Sequence, residues 1–234
     1  MSNARLLCVV LVACLVPALM PAVVSAQVAP PDGARGTVEL GIAQEWFHRE
    51  LEPQPYHDTR WSITSVVFTY NVSDRIGIGV QGGLANFESD DFAGSTFNRF
   101  SVGAMGSARV LQLGDWGVGV TARYLDTFDF DTSETSLHKR VRSIAASVEL
   151  MRGFAVKRLP VGVRLGAVYT NDLVETFAWG SDDALASTSG GALGAMAGGK
   201  VRVFPAVSLF GYVNYVEYVQ GGVGVAIHAG SGGL

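Results

Sequence analysis

From about residue 36 onward, apolar and polar side chains alternate with a period of two, in runs of roughly ten to fourteen residues. Successive side chains of a strand point to opposite sides, so each run sorts into two faces. In 116–124, Trp116, Val118, Val120, Ala122 and Tyr124 share one face, and Gly117, Gly119, Thr121 and Arg123 the other. Ile76, Ile78, Val80 and Leu84 oppose Gly77, Gly79, Gln81 and Gly83 in the same way. Phe100, Val102, Ala104, Ala108 and Val110 oppose Ser101, Gly103, Ser107 and Arg109. The pattern predicts ten strands, over 36–47, 59–71, 75–86, 98–112, 116–129, 140–152, 160–173, 191–204, 206–216 and 219–229. Alternation is weaker in 59–71 and 206–216, which leaves eight strands as the alternative.

The connections alternate as well. Short ones fall at 72–74, 113–115, 153–159 and 204–205; longer ones, rich in Asp, Ser, Gly and Pro, fall at 48–58, 87–97, 130–139 and 174–190. Short turns at one end and long loops at the other are a property of bacterial outer-membrane barrels. An even strand count returns both termini to the periplasmic end. The last external connection, around 217–220, is short.

Alternation alone does not separate a membrane barrel from a soluble sandwich. The make-up of the two faces does. One face is Val, Ile, Leu, Ala and aromatic throughout. The other mixes Gly, Ser, Thr and Ala with a few charges: Glu39, Glu45, Arg109, Arg123, Glu149, Arg164 and Lys200. Charges make up only 16% of the chain, with 29 Gly, against about a quarter charged in ordinary soluble domains. A face so poor in charge is a poor solvated surface, whereas small residues leave room inside a narrow barrel for a few ionic groups. The apolar face is therefore expected to meet lipid. The seven charges are expected to form a lumen network that fills the pore, because buried charges are costly unless paired. Trp46, Phe47, Trp61, Phe87, Phe100, Tyr124, Phe128, Tyr169 and Tyr215 stand near the outer strand ends, and Tyr70, Trp116 and Phe204 near the inner ends. Two such belts mark membrane interfaces.

Residues 1–26 read as a cleaved Sec-type signal peptide: Arg5, an apolar run over 6–24, and Val24-Ser25-Ala26 before Gln27. A lipobox-like Leu11-Val12-Ala13-Cys14 is the rival, with Cys14 lipidated. Both cysteines, Cys8 and Cys14, lie in this segment, so the mature chain is expected to carry no thiol or disulfide. The expected organisation is a signal peptide at 1–26, a periplasmic stub at 27–35 and an outer-membrane barrel at 36–234. The net charge of −4 points away from nucleic acid.

With signal peptide, alternation, turns and aromatic belts together, the mature chain resembles the porin-like family of small outer-membrane β-barrel proteins. No residue motif carries that resemblance. It implies an all-β, up-and-down antiparallel transmembrane barrel, folded by the barrel-assembly machinery and surrounded by outer-membrane lipid and lipopolysaccharide, and expected to be a monomer. Family members often end on an aromatic residue; this chain ends Gly232-Gly233-Leu234, which implies a variant assembly signal.

Candidate chemistry is sparse. Gly77-Ile78-Gly79-Val80-Gln81-Gly82 has the spacing of a dinucleotide loop, but the alternation runs straight through it where a helix is needed. His48, His57 and His138 fall near the outer rim and His228 in the last strand; His57 and Asp58 could form a base and orienter pair, which Asp90 and Asp91, or Asp126, could complete as an omptin-like protease site. Arg60, Arg99, Lys139, Arg140 and Arg142 recur where descending strands begin, at the height of lipopolysaccharide phosphates, which guanidinium groups pair well. The acidic loops lack an EF-hand pattern. No catalytic residue, cofactor or metal is expected. The reading is a non-enzymatic barrel with a filled lumen and a structural or loop-mediated binding role at the cell surface. A narrow porin passing small solutes stands second, and a rim-site hydrolase of lipid A or peptides third.

Overall fold

A computed structural model describes residues 35–50, 58–89, 97–128, 137–178, 184–188 and 191–229. The expected signal peptide, Cys8, Cys14, nearly all of the stub, His57, Asp90 and Asp91 lie outside these residues.

The chain forms β1 (Val38–Glu50), β2 (Asp58–Ser73), β3 (Ile76–Ser89), β4 (Phe97–Leu113), β5 (Trp116–Phe128), β6 (Leu137–Val156), β7 (Leu159–Ala178), β8 (Ala184–Thr188), β9 (Ala192–Phe204), β10 (Val207–Val216) and β11 (Tyr218–Ala229). Every pairing is antiparallel. Sequential neighbours pair along the wall, β1 pairs with β11, and β6 pairs with β7 over its whole length, so the sheet closes on itself. β9 pairs with β7 from Val161 to Thr170, and β8 with β7 from Leu173 to Phe177. β8 and β9 are therefore one interrupted stave, and the barrel has ten. Closure leaves no open sheet edge, which a hydrocarbon environment demands of any β structure.

Two elements differ from the sequence reading. The connection expected at 153–159 is a two-residue turn, because β6 and β7 continue to a Val156 and Leu159 pair. Lys157 and Arg158 both take positive φ, 48° and 73°. That mirror-image turn suits the strand twist, but its usual signature is Asn-Gly or Asp-Gly, so Lys-Arg concealed it. Likewise β7 runs on to Ala178, and 184–188, inside an expected loop, adds the short β8.

The two faces fall as alternation requires. Outside, Ile42, Val80, Leu84, Val148, Leu165 and Leu193 are exposed, Leu193 to 78% of its surface. Inside, Glu45, Arg123, Glu149 and Arg164 are buried. This orientation is inverted relative to a soluble protein, and it is that of a membrane-spanning barrel. A polar pair on the outer face, Gln44 and Thr64, sits directly opposite across β1 and β2, with the Thr64 hydroxyl donating to the Gln44 carbonyl. The cross-strand match satisfies two groups that lipid cannot.

Three expected positions are corrected. Phe47 and Trp61 do not belong to the lipid belt: they turn inward, 3% and 2% exposed, and stack with centroids 5.0 Å apart. Phe47 is two residues from Glu45, and Trp61 two from Ile63, so each shares an inward face. Arg99 is not an outer phosphate contact either. It lies two residues from Ser101 on the inward face of β4 and is buried. Phe100, Tyr124, Phe128, Tyr169 and Tyr215 do face outward near the loop end, and Tyr70 and Phe204 near the turn end.

Candidate functional site: the barrel lumen

Toward the loop end the lumen is filled by hydrocarbon. Phe47 from β1, Trp61 and Ile63 from β2, Ala85 from β3, Leu125 from β5 and Val141 from β6 form one buried cluster. The contributing staves run from one side of the ten-stave wall to the opposite side, so the cluster crosses the bore.

Below it lies an ionic layer. Arg123 of β5 donates from both terminal nitrogens to Glu45 of β1, at 3.0 and 2.9 Å. β1 and β5 stand four staves apart in a ring of ten, so this fork of bonds spans nearly the full width. Tyr212 of β10 donates its hydroxyl to Glu45 Oε1 at 2.9 Å. The Arg164 guanidinium lies 5.2 Å from the Tyr212 ring centroid and 3.3 Å from Glu149, which also accepts from the Ser147 hydroxyl. Arg123, Glu45, Tyr212, Arg164 and Glu149 thus join five staves. Each carboxylate has a charged partner and a hydroxyl donor, the condition under which buried ions persist. Glycines make the space. A Cβ at Gly198 would stand 2.6 Å from Arg164 Nε and 2.7 Å from Tyr212 Cβ.

Toward the turn end the lumen opens into a cavity of about 610 Å3. At its wall Lys200 donates to Glu39 at 2.6 Å. His228 Nδ1 lies 3.3 Å from the same Glu39 oxygen, and His228 Nε2 is 2.7 Å from the Ser208 hydroxyl. Serine, histidine and carboxylate in that order suggest an acyl-transfer relay. Two observations weigh against it: Ser208 is wholly buried, and Lys200 engages the oxygen that would orient the histidine.

All seven charges expected in the lumen face it, three pairs of them in direct contact, and Arg109 lines the cavity. The residues considered for lipopolysaccharide separate. Arg60 is exposed on the outer face. Arg140 forks onto Asp126 and lies 5.3 Å from the Phe128 centroid, while Arg142 pairs with Glu175. The Lys139 and His138 side chains lie outside the described residues. Asp126 accepts from the Arg140 guanidinium and from the Tyr124 hydroxyl. His48 stacks on Tyr218 at 4.1 Å. The run 77–82 lies within β3, with no helix to receive a phosphate. Among the described residues no three His, Cys, Asp or Glu side chains gather as a metal site.

Sequence reasoning missed Tyr212, Ser208 and the Phe47 and Trp61 stack. In β10 apolar residues occupy both faces (Leu209 and Val213 on one, Phe210 and Val216 on the other), which blurs the alternation. Ser208, Tyr212 and Asn214, spaced by even numbers, were the available signal.

No protein-family model and no curated protein matches the sequence. Among solved structures, the chain is similar to Ail, the attachment invasion locus protein of Yersinia pestis, at 11% identity and a TM-score of 0.39, covering 83% of this chain and 99% of that one. It is similar to Neisserial surface protein A at 18% identity and a TM-score of 0.34, covering 84% and 99%. It is also similar to the outer membrane protease OmpT of Escherichia coli at 11% identity and a TM-score of 0.37, covering 88% and 96%. Likenesses this distant assign no activity.

Proposed function

We propose that the chain is a bacterial outer-membrane barrel whose lumen does not conduct, and which acts at the cell surface as a structural or loop-mediated binding protein. The observation that carries this reading is the Glu45 and Arg123 bridge across the bore, capped by the Phe47, Trp61, Leu125 and Val141 layer. A ten-stave barrel is narrow enough for such side chains to close it. With the bore closed, what remains accessible from outside is the rim and the outer wall. Lipopolysaccharide contact is retained in narrower form, through Arg60, which stands exposed on the outer face near the loop end. Arg140 and Arg142 already neutralise Asp126 and Glu175, so they add little net charge for phosphate. Assembly by the barrel machinery and a monomeric state complete the reading.

Planar-bilayer recording on the refolded mature chain tests it. The expected result is no stable open level. A steady ohmic conductance from the wild-type chain would replace this reading with the narrow porin.

A further inference from the structure

The cavity at the turn end has a lining that the closed bore does not require. We propose that it binds an amphiphilic anion: a carboxylate or phosphate carried on a short hydrocarbon chain. The inference rests on the closed bore for its shape, since a dead-end chamber holds a ligand where a through-channel passes one.

The lining carries five cationic side chains (Arg109, Arg152, Arg164, Lys200 and Arg202) and two acidic ones, Glu39 and Asp115. Arg152 and Asp115 meet each other at the rim, 3.4 Å apart, and Lys200 meets Glu39. Glu149, just outside the lining, offsets Arg164. The sum of these signs is still positive, and it is enclosed by a barrel wall with lipid beyond, where the field of a fixed charge is weakly screened. Four of the five, Arg109, Arg164, Lys200 and Arg202, face inward from β4, β7 and β9, so they converge from separate staves; Arg152, on β6, lies over the Trp116 ring at the rim. Arg164 is buried, laid against Tyr212 in space that only Gly198 provides.

The other part of the lining is apolar. Val67, Met151 and Phe210 contribute inward hydrocarbon surface among the cations. A hydrated inorganic anion would leave that surface wet, and a neutral alkyl chain would leave the net positive charge of the lining unbalanced. An anion with an alkyl tail satisfies both, which is the usual make-up of a small-molecule pocket: mostly apolar, with a few convergent polar groups. Entry is from the turn end, the side that faces the periplasm, because the bridge and the hydrocarbon layer block the other end.

Titration calorimetry on the mature chain trapped in amphipol tests this with decanoate, decyl phosphate, decanol and acetate. Decanoate or decyl phosphate is expected to bind saturably with one site per barrel, and decanol and acetate each about tenfold more weakly or worse. Preference for decyl phosphate indicates a lipid-type phosphate as the source, and preference for decanoate a free fatty acid. Arg202→Gln is expected to weaken the preferred anion about fivefold, and Arg109→Gln with Arg202→Gln further, with heat-modifiable gel mobility showing that both variants stay folded. Equal binding of decanol, absence of saturable binding, or unchanged affinity in the double variant would overturn the site. The conductance measurement is separate, so an open pore and an empty pocket are distinguishable failures.

Discussion

The loop-end and turn-end halves of the lumen are lined by the same ten staves and filled by opposite means. Near the loops, Phe47, Trp61, Ile63, Leu125 and Val141 pack as a hydrophobic core does in a soluble protein. Near the turns many inward residues are short or glycine, Gly41, Gly117, Gly162 and Ser208 among them, with Arg109, Lys200 and Arg202 around an unfilled chamber. The ionic layer of Glu45, Arg123, Tyr212, Arg164 and Glu149 separates them. A barrel in lipid has little to gain from burying apolar groups on its outer face, since lipid and protein interior are alike in polarity. Shape-specific stability must then come from inside, and here it is concentrated in the upper and middle layers. The lower half, relieved of that task, is where a ligand has room.

Substitutions that break one half at a time sharpen this contrast. The largest effect is expected from Glu45→Ala, which leaves Arg123 buried without its carboxylate and should cost about 3–5 kcal/mol in reversible urea unfolding. Replacing both partners with Met should recover most of that loss; if it does not, the bridge does more than neutralise itself. Trp61→Ala, which empties the upper layer, should cost about 3 kcal/mol by circular dichroism, with no loss of pocket affinity. Combined with the double Met change, it should also produce a measurable conductance in planar bilayers.

On the outside, Val148 stands midway between the levels of Trp116 and Tyr124, through its pairing with Val120. Val148→Arg should cost about 2–4 kcal/mol in lipid vesicles, as a charge at the bilayer midplane does. A neutral outcome would count against the inverted orientation itself. Gly198→Ala, crowding Arg164 and Tyr212, should cost about 1–3 kcal/mol and weaken the anion as well. The smallest effect belongs to Arg152→Ala. Its pair with Asp115 is exposed at the rim, and unfolding should register less than about 1 kcal/mol.

Much of the architecture was legible because a strand's two-residue period leaves little freedom: once Val118 and Val120 meet lipid, Thr121 and Arg123 must face inward. Phe47 and Trp61 were misplaced because their chemistry, aromatic and near a strand end, was given precedence over their parity with Glu45 and Ile63. Arg99 failed in the same way. The turn at Lys157 and Arg158 was hidden because its conformation is imposed by β6 and β7 rather than by residues that favour it.

The sequence by itself determined which side of the wall each residue occupies, and with it the closed, lipid-facing character of the barrel, since both follow from local backbone geometry and face composition. It did not determine who meets whom inside. Glu45 reaches Arg123, 78 positions away, and Lys200 reaches Glu39, 161 positions away. Those partners depend on the number of staves and on how each is staggered against the next. Only a closed ring brings opposite walls within the length of two side chains.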